Sequence, residues 1–505
     1  MKGSRLQTSA GRVLEMALFA VVTATLVAGC TVGPDFHRPG APAVGGYTSE
    51  SLPSQTVSAN VQGGEAQRFI RDRDIPGQWW ILFHSAALNS LIDRALKANP
   101  NLQAADAALR VAMENVYAQA GLYYPSVQAN FSPSRQKNPV GTIAPALSSG
   151  VPVYNLYTAQ VNVSYVPDVF GGNRRQVESL KAQAEFQRFQ LEATYLTLTS
   201  NLVVAAIQEA SLRAQIAATE TVVNIETEQL EIFRRQHALG AIAMADVIAQ
   251  EAVLAQTLAT LPSLKRQLAQ QRDLLSALSG RFPSEEPMET FELSTLQLPQ
   301  ELPVTLPSRL VDQRPDVRSA EEQLHAASAQ IGVAAANMLP QITLSGAYGG
   351  TATQIGQLFD SGNIFWSMAG SVTQTLFAGG TLLHRKRAAV AAFDQAAAQY
   401  RSVVITAFQN VADTLRALQF DAEAVNAQVV AEHAAAESLE IARRALQLGS
   451  ISYLAMLNAE QAYQQAVINL AQARANRYAD TAALFQALGG GWWNRPPTEL
   501  VHNQP

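Results

Sequence analysis

The sequence predicts a mixed α/β membrane protein that is written twice, with long coiled-coil helices and four short amphipathic strands. Three observations predict it. The first is an internal duplication: Asn99-Pro100-Asn101-Leu102 and Tyr124-Pro125-Ser126-Val127 recur as Arg314-Pro315-Asp316-Val317 and Leu339-Pro340-Gln341-Ile342. Both proline pairs are 215 positions apart (340 minus 125, and 315 minus 100), so a whole structural unit is repeated without a gap. The second is a seven-residue apolar period over long Ala-, Gln- and Leu-rich stretches, the pattern of coiled-coil packing. The third is strict apolar/polar alternation over four short segments, the pattern of strands with two unlike faces.

The chain has 505 residues, a net charge of −5 and one cysteine. The charge is scattered with no basic stripe, which argues against a nucleic-acid partner. Residues 1–29 have the form of a signal segment: Lys2, Arg5 and Arg12 precede the apolar Met16–Val27, and small Ala28-Gly29 precede Cys30. Leu26-Val27-Ala28-Gly29-Cys30 resembles a bacterial lipoprotein signal, so lipid is expected on Cys30. Thr31 follows it rather than Asp, which by the lipoprotein sorting rule favours the outer membrane. A single cysteine leaves no disulfide framework and no cysteine-based zinc site. No run of eighteen or more apolar residues follows Cys30, so any membrane crossing must use strands.

Residues 30–84 read as an N-terminal arm, punctuated by Gly33-Pro34, Arg38-Pro39 and Ala41-Pro42, with packing resuming at Trp79-Trp80. The first repeat, 85–279, begins with a short helix that stops at Asn99-Pro100, because the residue before proline leaves helical geometry. Leu102, Ala105, Leu109, Ala112 and Val116 then mark the next helix, as Val317, Ala320, Leu324, Ala327 and Ile331 do in the second repeat, 314–488. Strands follow. Val127, Ala129 and Phe131 alternate with polar residues, as do Val161, Val163 and Tyr165; Ile342, Leu344 and Tyr348; and Trp366, Met368 and Val372. Connections rich in Gly, Ser and Pro are expected at 136–156 and 349–363. Strands of this length and pattern fit a membrane barrel, and equally a small soluble sheet with one wet face.

Phe170-Gly171-Gly172 and Phe377-Ala378-Gly379-Gly380 turn the strands into long helices. Phe170, Gly172, Phe377 and Gly379 are taken as strand–helix junction residues, the phenylalanines as packing groups. A stripe from Leu191 to Phe233 follows the heptad, interrupted by Glu209, Thr219 and Glu226. Gly240 and Gly449 mark the tips of helical hairpins. The descending helix, about 174–238, would span roughly 100 Å at 1.5 Å per residue, its return roughly 55 Å, and the helix before the strands roughly 35 Å. One long helix beside two stacked shorter ones is expected, with Pro262 kinking a returning helix. Residues 280–313 carry five prolines and read as a linker or belt, and 489–505 as a C-terminal tail.

Four strands cannot close a barrel, and open edges are not tolerated in hydrocarbon. Either the sheet lies outside a membrane, or several chains share one barrel. Enzymatic readings fail on the residues. The seven histidines form no metal-type pair, and there is no Gly-x-Ser-x-Gly elbow and no phosphate loop.

Cys30-Thr31-Val32-Gly33-Pro34-Asp35-Phe36, Trp79-Trp80, Leu96-Lys97-Ala98-Asn99-Pro100, Leu306-Pro307-Ser308 through Arg314-Pro315-Asp316-Val317 to Ile331-Gly332, and Ala487-Leu488-Gly489-Gly490-Gly491-Trp492 resemble the outer-membrane factors of tripartite efflux systems, the NodT-like lipoprotein branch related to TolC. The resemblance implies a homotrimer with a twelve-stranded barrel and a periplasmic helical tunnel. It implies a passive duct docked on a periplasmic adaptor and an inner-membrane pump, with no cofactor beyond the lipid on Cys30. It implies that the hairpin tips, with Gly240, Asp246, Gly449 and Asn458, form the periplasmic aperture. Asp246 stands where relatives carry an aspartate, whereas Ala455 and Asn458 depart from the acidic pattern. Other readings are a type I-like secretion duct and a non-conducting coiled-coil scaffold lipoprotein.

Overall fold

The computed structural model describes residues 31–137, 153–285 and 289–495. Cys30 and its expected lipid, and most of the 136–156 connection, lie outside the described residues. The chain forms two compact units. One takes residues up to Arg38, Arg110–Phe186 and Glu321–Gln399; the other takes Pro39–Leu109, Gln187–Ala320 and residues from Tyr400 onward. Each unit therefore draws on both repeats: the duplication is sequential, but compactness comes from pairing equivalent layers of the two copies.

In chain order the elements are β1 (Arg68–Arg71), α1 (Ala86–Ala98), α2 (Pro100–Ala120), β2 (Ser126–Lys137), β3 (Val153–Tyr165), α3 (Gly172–Ala238), α4 (Met244–Leu278), β4 (Glu301–Val304), α5 (Pro307–Gln313), α6 (Pro315–Ala336), β5 (Gln341–Ala352), β6 (Ile364–Thr373), α7 (Thr381–Gln447) and α8 (Tyr453–Ala487). Matched lengths confirm the repeat, since α3 and α7 have 67 residues each and α4 and α8 have 35 each. No described helix is long and apolar enough to cross a membrane.

The first unit holds an antiparallel sheet in the order β2-β3-β5-β6. The other holds a large core. Trp79, Trp80 and Phe83 are inserted among Leu91, Leu202, Leu415, Tyr478 and Phe485, and Trp79 stacks on Phe485 with ring centroids 5.3 Å apart. Each large apolar side chain so enclosed contributes about 1.5–3 kcal/mol. Residues 280–313 are more than a linker. Phe291, Leu293, Leu296, Leu302 and Leu310 lie in this core, and β4 pairs in parallel with β1. Their prolines interrupt periodicity, so the sequence shows the breaks and hides the anchoring apolar residues between them. The connection expected at 349–363 is also shorter than its glycines suggest. Gly349 and Gly350 belong to β5, where a Cβ on Gly350 would lie 2.0 Å from the Leu358 carbonyl oxygen. Glycine there admits a close backbone crossing rather than a turn. Helix α4 continues through Pro262.

Along α3 the expected stripe is buried at Leu191, Leu198, Leu202, Leu212, Ile216, Leu230 and Phe233. Its three polar interruptions are buried too, and each has a partner. Glu209 Oε1 accepts from Arg213 at 2.7 Å and from Arg272 at 3.0 Å. The Thr219 hydroxyl donates to the Gln215 carbonyl at 2.8 Å. Glu226 Oε1 accepts from the Thr257 hydroxyl at 3.1 Å, and burial raises its pKa against that hydrogen bond. These bonds offset part of the cost of burying polar groups in an apolar seam, although Glu209 Oε2 and Glu226 Oε2 are buried without a hydrogen bond, and such groups favour one register of helix against helix.

Candidate functional site: the two-faced sheet and the helical tips

The strand registers decide which residues share a face. Val127 pairs with Val163, Val163 with Gly346, and Gly346 with Met368. Phe131 pairs with Ala159, Val161 with Tyr348, and Tyr348 with Trp366. One face is therefore apolar across all four strands. The alternate positions align Gln128 with Asn162, Asn162 with Ala347, and Ala347 with Ser367, giving a polar face. The apolar face is bare: Trp366 is 72% exposed and Met368 83%. Among the described residues of the single chain β2 and β6 are edge strands with no neighbour on their outer sides. A sheet apolar on one side, polar on the other and unpaired at both edges is an incomplete barrel wall.

The segment after Cys30 is clasped to this unit. Arg175, only 5% exposed in its side chain, donates to the Val32 carbonyl at 3.2 Å, to Asp35 at 2.7 Å and to Glu178 at 2.8 Å. The Arg175 hydrogen bond holds the Asp35 carboxyl below its usual range. Gly33 has φ +100° and lies against Gly332, where an added Cβ would fall 2.4 Å from the Gly332 Cα. Both positions demand glycine, one for conformation and both for space. Phe36 stacks on His325 at 4.4 Å, and His325 faces Glu322 at 3.4 Å and Glu178 at 3.1 Å.

Hydrogen bonding to Glu322, then to Glu178, raises the His325 pKa above its ordinary 6.5 despite partial burial. Its stabilisation of the clasp is thus complete below the unfolded value and is lost as pH rises through the raised folded value. Hydrogen exchange at residues 32–38, corrected for the intrinsic pH dependence, is expected to quicken across that window. His325→Gln should flatten the response, and an unchanged profile in that variant would remove His325 from the clasp.

At the junctions the two repeats differ. Phe170 is half-buried, and its carbonyl accepts from the Val32 amide at 3.2 Å. Gly172 opens α3. Leu376 and Phe377 are 93% and 89% exposed, and Gly379 sits at φ +57° with open space around it. Among the described residues of one chain Phe377 is almost wholly uncovered, so it does not act as the packing group expected of it.

At the tips Gly240 and Gly449 have φ +74° and +70°, and each ends a long helix before the chain reverses. Both give open space to an added Cβ, so backbone conformation alone calls for glycine there. Asp246 lies in the first turn of α4, and its carboxylate accepts from the Ala243 amide at 3.2 Å. In the other repeat Ser452 caps α8 by accepting from the Ala455 amide at 3.4 Å, and Asn458 is exposed one turn further on. Counted from each tip glycine, Ser452 matches Ala243 and Ala455 matches Asp246, so the two caps use the two ends of the same turn: in α4 the side chain at the later position takes the earlier amide, and in α8 the side chain at the earlier position takes the later amide. Asp246→Ala and Ser452→Ala are each expected to cost about 1 kcal/mol, read as a lowered melting temperature. An unchanged melting temperature in Asp246→Ala would show an idle carboxylate.

The junctions, tips and strands were legible in the sequence. The clasp residues Arg175, Glu178 and His325 were not: the i, i+3 pairs Arg175–Glu178 and Glu322–His325 look like ordinary helix-surface pairs, and the contacts that make the clasp, to Val32, to Asp35 and between His325 and Glu178, span about 140 or more positions.

An amphipathic strand domain joined to paired, heptad-packed helical hairpins defines an outer-membrane channel fold. The chain belongs to the outer membrane efflux protein family, whose profile matches residues 91–281 and 306–490, one stretch for each repeat. It is 29% identical over 483 residues to the toluene efflux pump outer membrane protein TtgC of Pseudomonas putida, covering 95% of this chain and 96% of that one. It is 29% identical to the pyoverdine export outer membrane protein OpmQ of Pseudomonas aeruginosa, covering 82% and 87%. The solved outer-membrane channel OprN superposes with a TM-score of 0.80 at 28% identity, covering 92% of this chain and all of that one. The protein is thus an outer-membrane efflux channel protein.

Proposed function

We propose that three copies close a twelve-stranded barrel and a twelve-helix tunnel, through which small organic molecules leave the cell passively. The two-faced sheet with unpaired edges carries this reading. In a closed ring the apolar face meets lipid, the polar face lines water and no edge remains. Strands alternate in direction and each copy supplies four, so the last strand of one copy meets the first of the next antiparallel. A periplasmic adaptor and an energised inner-membrane pump deliver the substrate, since nothing in a barrel and coiled coils stores or transduces energy. Relatives named for toluene and pyoverdine support small organic molecules as the cargo class.

Cys30 carries the lipid anchor in this reading. Thr31, the first described residue, lies against Gly171 at the base of the sheet, so the acyl chains enter the bilayer beside the barrel wall. Gly240, Asp246, Gly449 and Asn458 surround the periplasmic aperture. There Asp246 supplies a ring of three carboxylates that raises local cation concentration, without a second acidic ring from Ala455 or Asn458.

Planar-bilayer recording on the purified full-length protein tests the proposal. Cation-preferring single-channel conductance from a particle of trimeric mass is expected, with weaker preference in Asp246→Asn. A monomer without conductance would instead mark a scaffold lipoprotein.

A further inference from the structure

We infer that β6 of one copy pairs with β2 of the next in one definite register, with Val372 beside Phe131 and Gly370 beside Pro133, and that the bare Leu376-Phe377 corner seats on residues 118–127 of that next copy. The inference rests on the trimer reading and adds to it which residues meet.

The register follows from the duplication. β2 starts at Ser126 and β5 at Gln341, a displacement of 215. Ser126 pairs with Ser164, and Gln341 pairs with Thr373, so β3 maps onto β6 with a displacement of 209 (373 minus 164). The long helices give the same 209 independently, from Gly172 to Thr381 and from Ala238 to Gln447. The join between the repeats inside one chain is β3 against β5, where Val163 meets Gly346 and Val161 meets Tyr348. Moving β3 forward by 209 and β5 back by 215 turns these pairs into Val372 with Phe131 and Gly370 with Pro133. The result passes a check that did not enter its derivation. All four residues lie on the apolar face, whereas a slip of one residue would set apolar against polar along the whole seam.

The corner follows from the same translation. In the first repeat Pro167 and Asp168, which the 209 displacement carries onto Leu376 and Phe377, line a cavity with Val333, Ala336 and Ile342. Moved back by 215, that receiving surface becomes Ala118, Gly121 and Val127, next to Leu122 and Tyr124, which border the first-repeat cavity in their own chain and remain 60% and 74% exposed. Among the described residues the second-repeat corner has no such surface in its own chain, in keeping with the exposure of Leu376 and Phe377. The next copy offers it at the end of the seam where β6 leaves off and β2 begins.

Cysteine pairs in the full-length protein, oxidised in isolated outer membranes, test the register. Val372→Cys with Phe131→Cys should give disulfide-linked dimers and trimers several-fold more abundant than Val372→Cys with Ala129→Cys or with Pro133→Cys, the two-residue slips. Single variants, which retain native Cys30, set the background. Preference for either slipped pair overturns the register, and so does a particle of trimeric mass that links through none of the pairs; both leave the channel reading standing. A monomeric mass overturns the register together with the trimer on which it rests.

Discussion

Replacing Arg477 by methionine is expected to cost about 3–5 kcal/mol and to free the segment around residues 56–67, the usual scale for removing one member of a buried charged network. The guanidinium is fully enclosed and donates to four acceptors: the Gln67 amide oxygen at 3.3 Å, the Gly63 carbonyl at 3.2 Å, the Thr56 hydroxyl at 3.0 Å and the Glu65 carbonyl at 2.6 Å. Gln67 passes the connection on, donating to the Pro299 carbonyl at 2.9 Å and to the Thr481 hydroxyl at 3.0 Å. One side chain of α8 thereby ties the N-terminal arm and the inter-repeat segment to one place. Burial lowers the Arg477 pKa, and nearby Glu65 and Asp421 oppose that, so the cation is retained by its surroundings. Methionine fills similar volume and leaves two backbone carbonyls buried without donors, each a loss of about 1–3 kcal/mol. Arg477→Lys should recover only part, because an ammonium cannot reproduce the planar fork that reaches four acceptors. Thermal unfolding and limited proteolysis at 56–67 read the effect, and a methionine variant that melts like the parent would show that the arm is held by apolar packing alone.

Period was what made the architecture readable. Val127, Ala129 and Phe131 declare a strand because alternate side chains meet different media. Leu191 to Phe233 declares a seam because every seventh residue returns to the same side. Such signals are local and redundant, so strands and helices fall close to where the pattern puts them. The duplication added long-range information that a single repeat could not carry. Polar tertiary contacts have no period. Arg477 and Gly63 are 414 positions apart, and nothing near either one announces the other. Glu226 was visible as a break in a stripe, yet its bond to Thr257 depends on how α4 returns beside α3. The tips show the same limit from another side. The absence of an acid at Ala455 was plain, while the cap that Ser452 supplies to the Ala455 amide appears only when the amide and hydroxyl are placed together. Breaks in periodicity therefore located functional and anchoring positions without saying what occupied them.

Two neighbours on β6 should respond oppositely to the same substitution. Met368→Arg is expected to abolish stable insertion, whereas Ser367→Arg should insert normally and lower cation permeability. Met368 shares its face with Gly346, Val163 and Val127, and Ser367 shares the other with Ala347, Asn162 and Gln128. On a lipid-facing wall an arginine at mid-depth costs about 2–4 kcal/mol, and three copies would bring that to roughly 6–12 kcal/mol per assembly. On the water-lined side the same arginine keeps its hydration and instead adds three positive charges around the pore, which repel permeating cations. Heat-modifiable mobility and detergent extraction read insertion, and reversal potentials in a salt gradient read selectivity. Both residues are exposed in the single chain, sit on the same edge strand and are adjacent in sequence. Local strand propensity and edge effects are therefore nearly equal for the two, and a difference in outcome has to come from the medium each face meets. If both variants behave alike in water without detergent, the sheet is a soluble one with two wet faces. If Ser367→Arg fails while Met368→Arg inserts, the wall is inside out and the polar face is buried between chains rather than turned to a pore.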